Sequence, residues 1–185
     1  MNYIIVDLEA TCGNKYENIR NEIIEIGAVK INEQGQMIGE FNEFVKPVLN
    51  PVLTKFCTEL TSIQQNDVDN AANFKTVLID FLDWACNDNC IFLSWGNYDK
   101  NQFIKDCELH GMSSLWINKH INLKAMYSIK KQKKQCGMER ALSFEGISLE
   151  GTHHRGIDDA RNIAKIFVKY FGEWNFKGFI NWRQK

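Results

Sequence analysis

The chain has 185 residues, 44% of them hydrophobic, which suits one domain of roughly 100–200 residues with a substantial core. Lys and Arg number 22 against 23 Asp and Glu, so the net charge of −1 gives no overall pull towards nucleic acid or anionic membrane, and any phosphate-binding surface must be local. No cationic leader followed by an apolar stretch opens the sequence and no run of about 18 apolar residues exists, which argues against a membrane partner and predicts a soluble, cytoplasmic protein.

Tyr3-Ile4-Ile5-Val6-Asp7-Leu8-Glu9-Ala10-Thr11 reads as an apolar strand ending in two carboxylates. Side chains alternate along a strand, so Asp7 and Glu9 point the same way. Like charges in one small space repel, and the remedies are a raised pKa or a bound cation. A strand surfacing into a loop produces the same short pattern, so the pair needs further acids to become half of a metal site.

Gly13 to Asn21 is a polar loop, and Glu22 to Ile31 is a second strand, rich in β-branched residues. Glu33 to Gln36 reads as a turn, and Met37 to Val45 as a third strand that Pro47 and Pro51 end. Short connections between three strands predict an antiparallel meander. From Thr54 on, helical spacing takes over, with Phe74, Val77, Leu78, Phe81, Leu82 and Ala85 forming one apolar stripe. A short strand at Ile91 to Trp95 precedes a helix around Phe103 and Cys107. A shorter strand near Ile121 to Leu123 and helices near Lys124–Lys130, Met138–Phe144 and Asp159–Phe171 follow. The pattern predicts an α/β fold, a meander followed by parallel strands in one mixed sheet flanked by helices, with residues 1–185 as a single domain. The aromatic C-terminal stretch, with Trp174, Phe176, Phe179 and Trp182, is expected to pack against the body, so no obligate protein partner is evident.

Six cysteines (Cys12, Cys57, Cys86, Cys90, Cys107 and Cys136) lack paired C-x-x-C spacing and are read as reduced thiols. Cys86 and Cys90, four apart, have no second pair with which to hold zinc. Lys130, Lys131, Lys133 and Lys134 form the only basic cluster, either a contact for a phosphate backbone or a solvated helix face.

Asp99 lies four residues after the Ile91 to Trp95 strand, at the start of the next helix, where open α/β sheets place ligands and where helix capping alone also favours an acid. A fourth acid lies in His153-His154-Arg155-Gly156-Ile157-Asp158-Asp159, which nests two frames of equal spacing, His153 with Asp158 and His154 with Asp159. Helical phase separates the acids: Asp159 borders the stripe of Ala160, Ile163, Ala164, Phe167 and Phe171, whereas Asp158 projects with Arg161, Asn162 and Lys165. Asp159 is thus the acid expected to face inward.

The order Asp7-x-Glu9, Asp99, then His154 with Asp159 five on resembles the three motifs of the DEDDh branch of the DnaQ-like 3′-to-5′ exonucleases, which share a ribonuclease H-like fold. More narrowly, Phe56 to Ile63 and His154 to Ala164 are similar to the histone-mRNA 3′-end exonuclease (Eri-1-like) group, although Tyr98 stands where that group tends to have tryptophan. The resemblance runs from Tyr3 to about Phe171. It implies a divalent-metal-dependent exonuclease that releases nucleoside 5′-monophosphates from single-stranded RNA or DNA 3′ ends, with RNA favoured. Asp7, Glu9, Asp99 and Asp159 would hold two Mg²⁺ or Mn²⁺ ions, a pairing that oxygen ligands suit, and His154 would be the general base. Phe56 and Tyr98 would sandwich the terminal base, Leu60 would wedge beside it, and Thr11 would join the substrate contacts. At helical spacing Phe56 and Leu60 also read as core. The alternatives are a proofreading-type exonuclease and a non-catalytic nucleic-acid-binding scaffold.

Overall fold

A computed structural model describes residues 1–85 and 89–176. Strands β1 (Asn2–Ala10), β2 (Ile23–Ile31) and β3 (Met37–Lys46) form the antiparallel meander, and Pro47 follows β3 directly. With β4 (Ala72–Asn73), β5 (Cys90–Ser94) and β6 (His120–Asn122) they make a mixed sheet in the order β4-β3-β2-β1-β5-β6. The β3–β4, β1–β5 and β5–β6 pairs are parallel. The helices are α1 (Lys55–Thr61), α2 (Gln65–Asp69), α3 (Phe74–Ala85), α4 (Tyr98–Leu109), α5 (Leu123–Lys131), α6 (Met138–Glu145) and α7 (Gly156–Lys169). No helix among the described residues is long and apolar enough to cross a membrane.

Strand β1 has a neighbour on each side and buries side chains on both faces, which is why it reads as a continuous apolar run. Tyr3 and Ile5 pack with Leu93 and with Ile163 and Phe167 of α7. Ile4, Val6 and Leu8 pack on the other face with Phe81 of α3 and Phe103 of α4. The two-residue period then carries Asp7 and Glu9 onto the α7 face, continuing the Tyr3 and Ile5 row. A register shift between Glu9 and Ala10 breaks the ladder beside the carboxylates, as bulges near sites do.

Helix α7 sits unusually close to the sheet. Gly27 lies opposite Asp7 in the β1–β2 register, and a Cβ there would fall 2.0 Å from the backbone carbon of Gly156. Two glycines are what allow the first turn of α7 to cross β2 in backbone contact and bring Asp159 to β1.

Helix α7 begins three residues before the expected Asp159, because the buried Glu25 carboxylate of β2 accepts the Gly156 N–H at 2.9 Å and completes the helix N-terminus from outside. Leu123 opens α5 rather than closing β6, since the Asn122 side chain caps the helix by accepting the Ala125 N–H at 2.9 Å. The two-residue β4 and a 3₁₀ turn at Leu115–Asn118 carry no periodic signal. At the C-terminal side Trp174 stacks on Phe167 and donates its indole N–H to the Phe167 carbonyl at 2.8 Å, while Phe176 stacks on Tyr3. Cys86, Phe179 and Trp182 lie outside the described residues.

Candidate active site

The carboxyl ends of β1 and β5 open into a cavity of about 350 Å³, lined among others by Asp7, Glu9, Asp99 and Asp159. The four acids arrive on three elements. Asp7 and Glu9 come from β1, Asp99 from the first turn of α4, and Asp159 from the first turn of α7. Asp7 is half-buried and the other three are buried. One carboxylate oxygen each from Asp7, Glu9 and Asp159 lie within 4.8 Å of one another. Asp99 is held next to them by the Leu8 N–H, which reaches its Oδ1 at 3.1 Å, and by the Ser94 hydroxyl, itself 2.8 Å from Nε2 of the buried His120.

The electrostatics of the cluster are unfavourable by themselves. Burial, reinforced by Asp99, Glu9, Asp159 and Glu25, raises Asp7 well above the usual carboxylate range. Glu9 is pushed up to about 8 by burial, then by Glu25, Asp159 and Asp99. Asp99 is raised by burial, which its hydrogen bonds only partly offset. Among the described residues no N–H or O–H donor reaches the side chain of Asp7 or Glu9. Acids at least half withdrawn from water and without donors are the kind of oxygen set that a hard divalent cation satisfies, so the residues present fit such an ion.

The turn before α7 supplies both histidines to the cavity wall. His153 Nδ1 is 2.9 Å from Asp159 Oδ2, and the His154 backbone N–H donates to the same oxygen at 3.1 Å. His154 takes a left-handed backbone conformation, φ 63°, which few non-glycine residues adopt and which stacks its ring on His153 with centroids 4.0 Å apart. Burial, then the neighbouring His153, lowers His154 below the ordinary imidazole value. Asp158, by contrast, turns to Arg161 at 3.0 Å and to the Thr152 N–H at 2.9 Å. The spacing of the nested frames did not place His153 against Asp159; only the turn geometry does.

Glu25 and Arg155 were not singled out by sequence. Glu25 is fully buried opposite Glu9, bonded by Arg155 at 3.1 and 3.3 Å as well as by the Gly156 N–H. An acid in an otherwise apolar strand was the available signal.

Leu60 and Tyr98 line the cavity, whereas Phe56, one helical turn before Leu60 on α1, does not. These three side chains are exposed rather than core: 41% for Phe56, 37% for Leu60 and 51% for Tyr98. Thr54 positions the two on α1, capping that helix by accepting the Cys57 N–H at 2.9 Å and donating its hydroxyl to the Cys12 carbonyl at 2.6 Å. Thr11 is buried outside the cavity lining, its hydroxyl accepting the Glu22 N–H at 2.9 Å and donating to the Arg20 carbonyl at 3.3 Å.

Comparison with known proteins agrees with this architecture. Residues 4–167 match the exonuclease family. The 3′-5′ exonuclease Snipper of Drosophila melanogaster is 33% identical over 190 residues, covering 90% of this chain and 68% of its own. Human 3′-5′ exoribonuclease 1 is 33% identical over 178 residues, covering 89% of this chain but only 51% of that protein. Among solved structures, the nuclease domain of 3′hExo, a DEDDh family member bound to rAMP, superposes with a TM-score of 0.87 at 29% identity, covering 93% of this chain and 92% of that one. With the family match spanning most of its length and relatives named for the same activity, the chain belongs to the exonuclease family, as a 3′-to-5′ exonuclease of the DEDDh, Eri-1-like group.

Proposed function

We propose that the protein removes nucleotides singly from the free 3′ end of single-stranded nucleic acid, RNA in preference to DNA, with Asp7, Glu9, Asp99 and Asp159 holding two divalent ions, Mg²⁺ or Mn²⁺. The observation that carries the reading is the pair of donor-less carboxylates, Asp7 and Glu9, gathered with Asp159 in a cavity whose wall holds two histidines. When bound, such ions supply Lewis-acid chemistry, favouring ionisation of an attacking water and offsetting charge on the phosphate and leaving oxygen. The chain's own residues do the rest. Water attacks the terminal phosphorus, the bond from phosphorus to the upstream O3′ breaks, and a nucleoside 5′-monophosphate leaves. His154 accepts the proton of the attacking water, a task helped by a value below the ordinary imidazole range, which keeps the ring neutral near pH 7.

Tyr98 and Phe56 offer exposed aromatic faces on which the last base stacks, and Leu60 separates it from the preceding base. Thr11 contributes from the end of β1 by holding the strand's exit in place. The preference for RNA rests on relatives named exoribonucleases and on the rAMP bound to 3′hExo. The test is a gel time course with labelled RNA and DNA of one sequence in Mg²⁺, Mn²⁺ or chelator. The reading expects stepwise shortening from the 3′ end, faster on RNA and abolished by chelator. Undiminished activity in chelator refutes the metal requirement, and no shortening at all leaves a nucleic-acid-binding scaffold.

A further inference from the structure

The connection between α5 and α6 carries a second concavity, of about 270 Å³, lined by Lys133, Lys134, Gln135, Cys136, Arg140 and Phe144. The basic cluster divides into two kinds of lysine. Lys130 pairs with Glu173 at 2.7 Å and Lys131 with Glu145 at 3.0 Å, and Lys165 and Lys169 of α7 likewise end on Glu150 and Glu145. Among the described residues no carboxylate pairs with Lys133, Lys134 or Arg140, all three exposed. Phe144, itself 42% exposed, gathers two of them: Lys133 Nζ stands 4.0 Å from its ring centroid and Arg140 Cζ 5.4 Å. Unneutralised cations held at one place beside a cavity suit an anionic ligand.

Position says which anion. Residues 133–136 line this pocket, and the next two, Gly137 and Met138, line the catalytic cavity. The Cys136 carbonyl accepts the indole N–H of Trp95, another wall of that cavity, at 3.0 Å. We propose that the pocket is a phosphate subsite for the single strand upstream of the terminal nucleotide, in which Lys133, Lys134 and Arg140 hold backbone phosphates and Phe144 positions two of the three cations. The subsite rests on the exonuclease reading above and extends it to the strand that feeds the site. Contact with phosphates reads neither base nor sugar, so it serves RNA and DNA alike.

The experiment compares, in Mg²⁺, hydrolysis of a dinucleotide, whose one phosphate occupies the scissile position, with that of a single-stranded oligomer of about a dozen nucleotides. In the wild type the oligomer should show the lower KM, and its log KM should depend on log salt more steeply by about 2, at about 0.7 per phosphate contacted. Raising salt from about 50 to 200 mM should therefore erode that advantage about 20-fold. Substituting Lys133→Glu, Lys134→Glu and Arg140→Glu together should bring the ratio of the two KM values close to one. Phe144→Ala should reduce the extra salt slope while Phe144→Trp restores it, which tests the same point if the triple variant folds poorly. Length-independent KM and salt slope in a wild type that does hydrolyse the dinucleotide overturn the subsite, as does a triple variant keeping the wild-type ratio. A wild type that hydrolyses neither substrate refutes the exonuclease reading itself.

Discussion

Glu9→Gln should stabilise the metal-free protein, by an amount that grows with pH. Glu9 is only 8% exposed and its carboxyl is pushed up to about 8, so little solvent screening weakens the argument. In the unfolded chain the same group titrates near 4.3. Below about pH 4.3 both states are protonated and the group contributes no penalty. Between about 4.3 and 8 the folded protein keeps a proton that the unfolded chain has released, so unfolding releases it and stability falls as pH rises. Above about 8 the full cost is present, on the order of 5 kcal/mol at 1.36 kcal/mol per pKa unit. A glutamine of the same shape does not titrate. In chelator the variant's advantage over wild type should therefore widen by several kcal/mol, about 4 at most, between pH 5 and 8.5. Urea titrations followed by tryptophan fluorescence measure it. Excess Mg²⁺ should then narrow that advantage, because a ligand at about 100 times its Kd adds about 2.7 kcal/mol to whichever protein binds it. An advantage independent of pH, or equal stabilisation of both proteins by Mg²⁺, would refute the claim that repulsion at Glu9 is what a cation relieves.

Arg155→Ala strips the buried Glu25 of its cation and leaves it only the Gly156 N–H, so unfolding free energy should drop by about 3–5 kcal/mol; a loss under about 1 kcal/mol means that the pair does not hold α7. Gly27→Ala forces a Cβ to within 2.0 Å of the Gly156 backbone and should displace Asp159, abolishing the Mg²⁺-dependent rise in melting temperature; a normal rise contradicts the close-crossing argument. Phe56→Ala and Tyr98→Ala remove exposed rings, so each should change stability by less than about 1 kcal/mol yet raise KM about 5–150-fold, the equivalent of about 1–3 kcal/mol of stacking. Large stability losses with unchanged KM sink the stacking role. His154→Ala should lower single-turnover rates about 10²–10⁴-fold and remove an acid limb lying below the ordinary imidazole value, whereas His153→Ala should do much less; reversed effects reassign the base.

Much of this protein was legible in periodicity. The two-residue repeat of β1 assigns Asp7 and Glu9 to one face without reference to any partner, and the stripe through Ile163 and Phe167 separates inward Asp159 from outward Asp158. Both are local properties of a chain that alternates or winds at a fixed pitch. What periodicity could not say is which faces meet and how closely. Gly27 reads as a lapse in a strand until α7 is seen crossing it, and Glu25 as a misplaced acid until Arg155 and the Gly156 N–H close on it. Four adjacent-looking lysines became two neutralised and two unpaired ones, because the acids Glu145 and Glu173 come from elsewhere in the chain. His153 and His154 share one spacing, and a left-handed turn at φ 63° stacked both beside Asp159. These outcomes depend on contacts between residues up to 131 apart in sequence, whose distances are set by packing and not by the pitch of any one element.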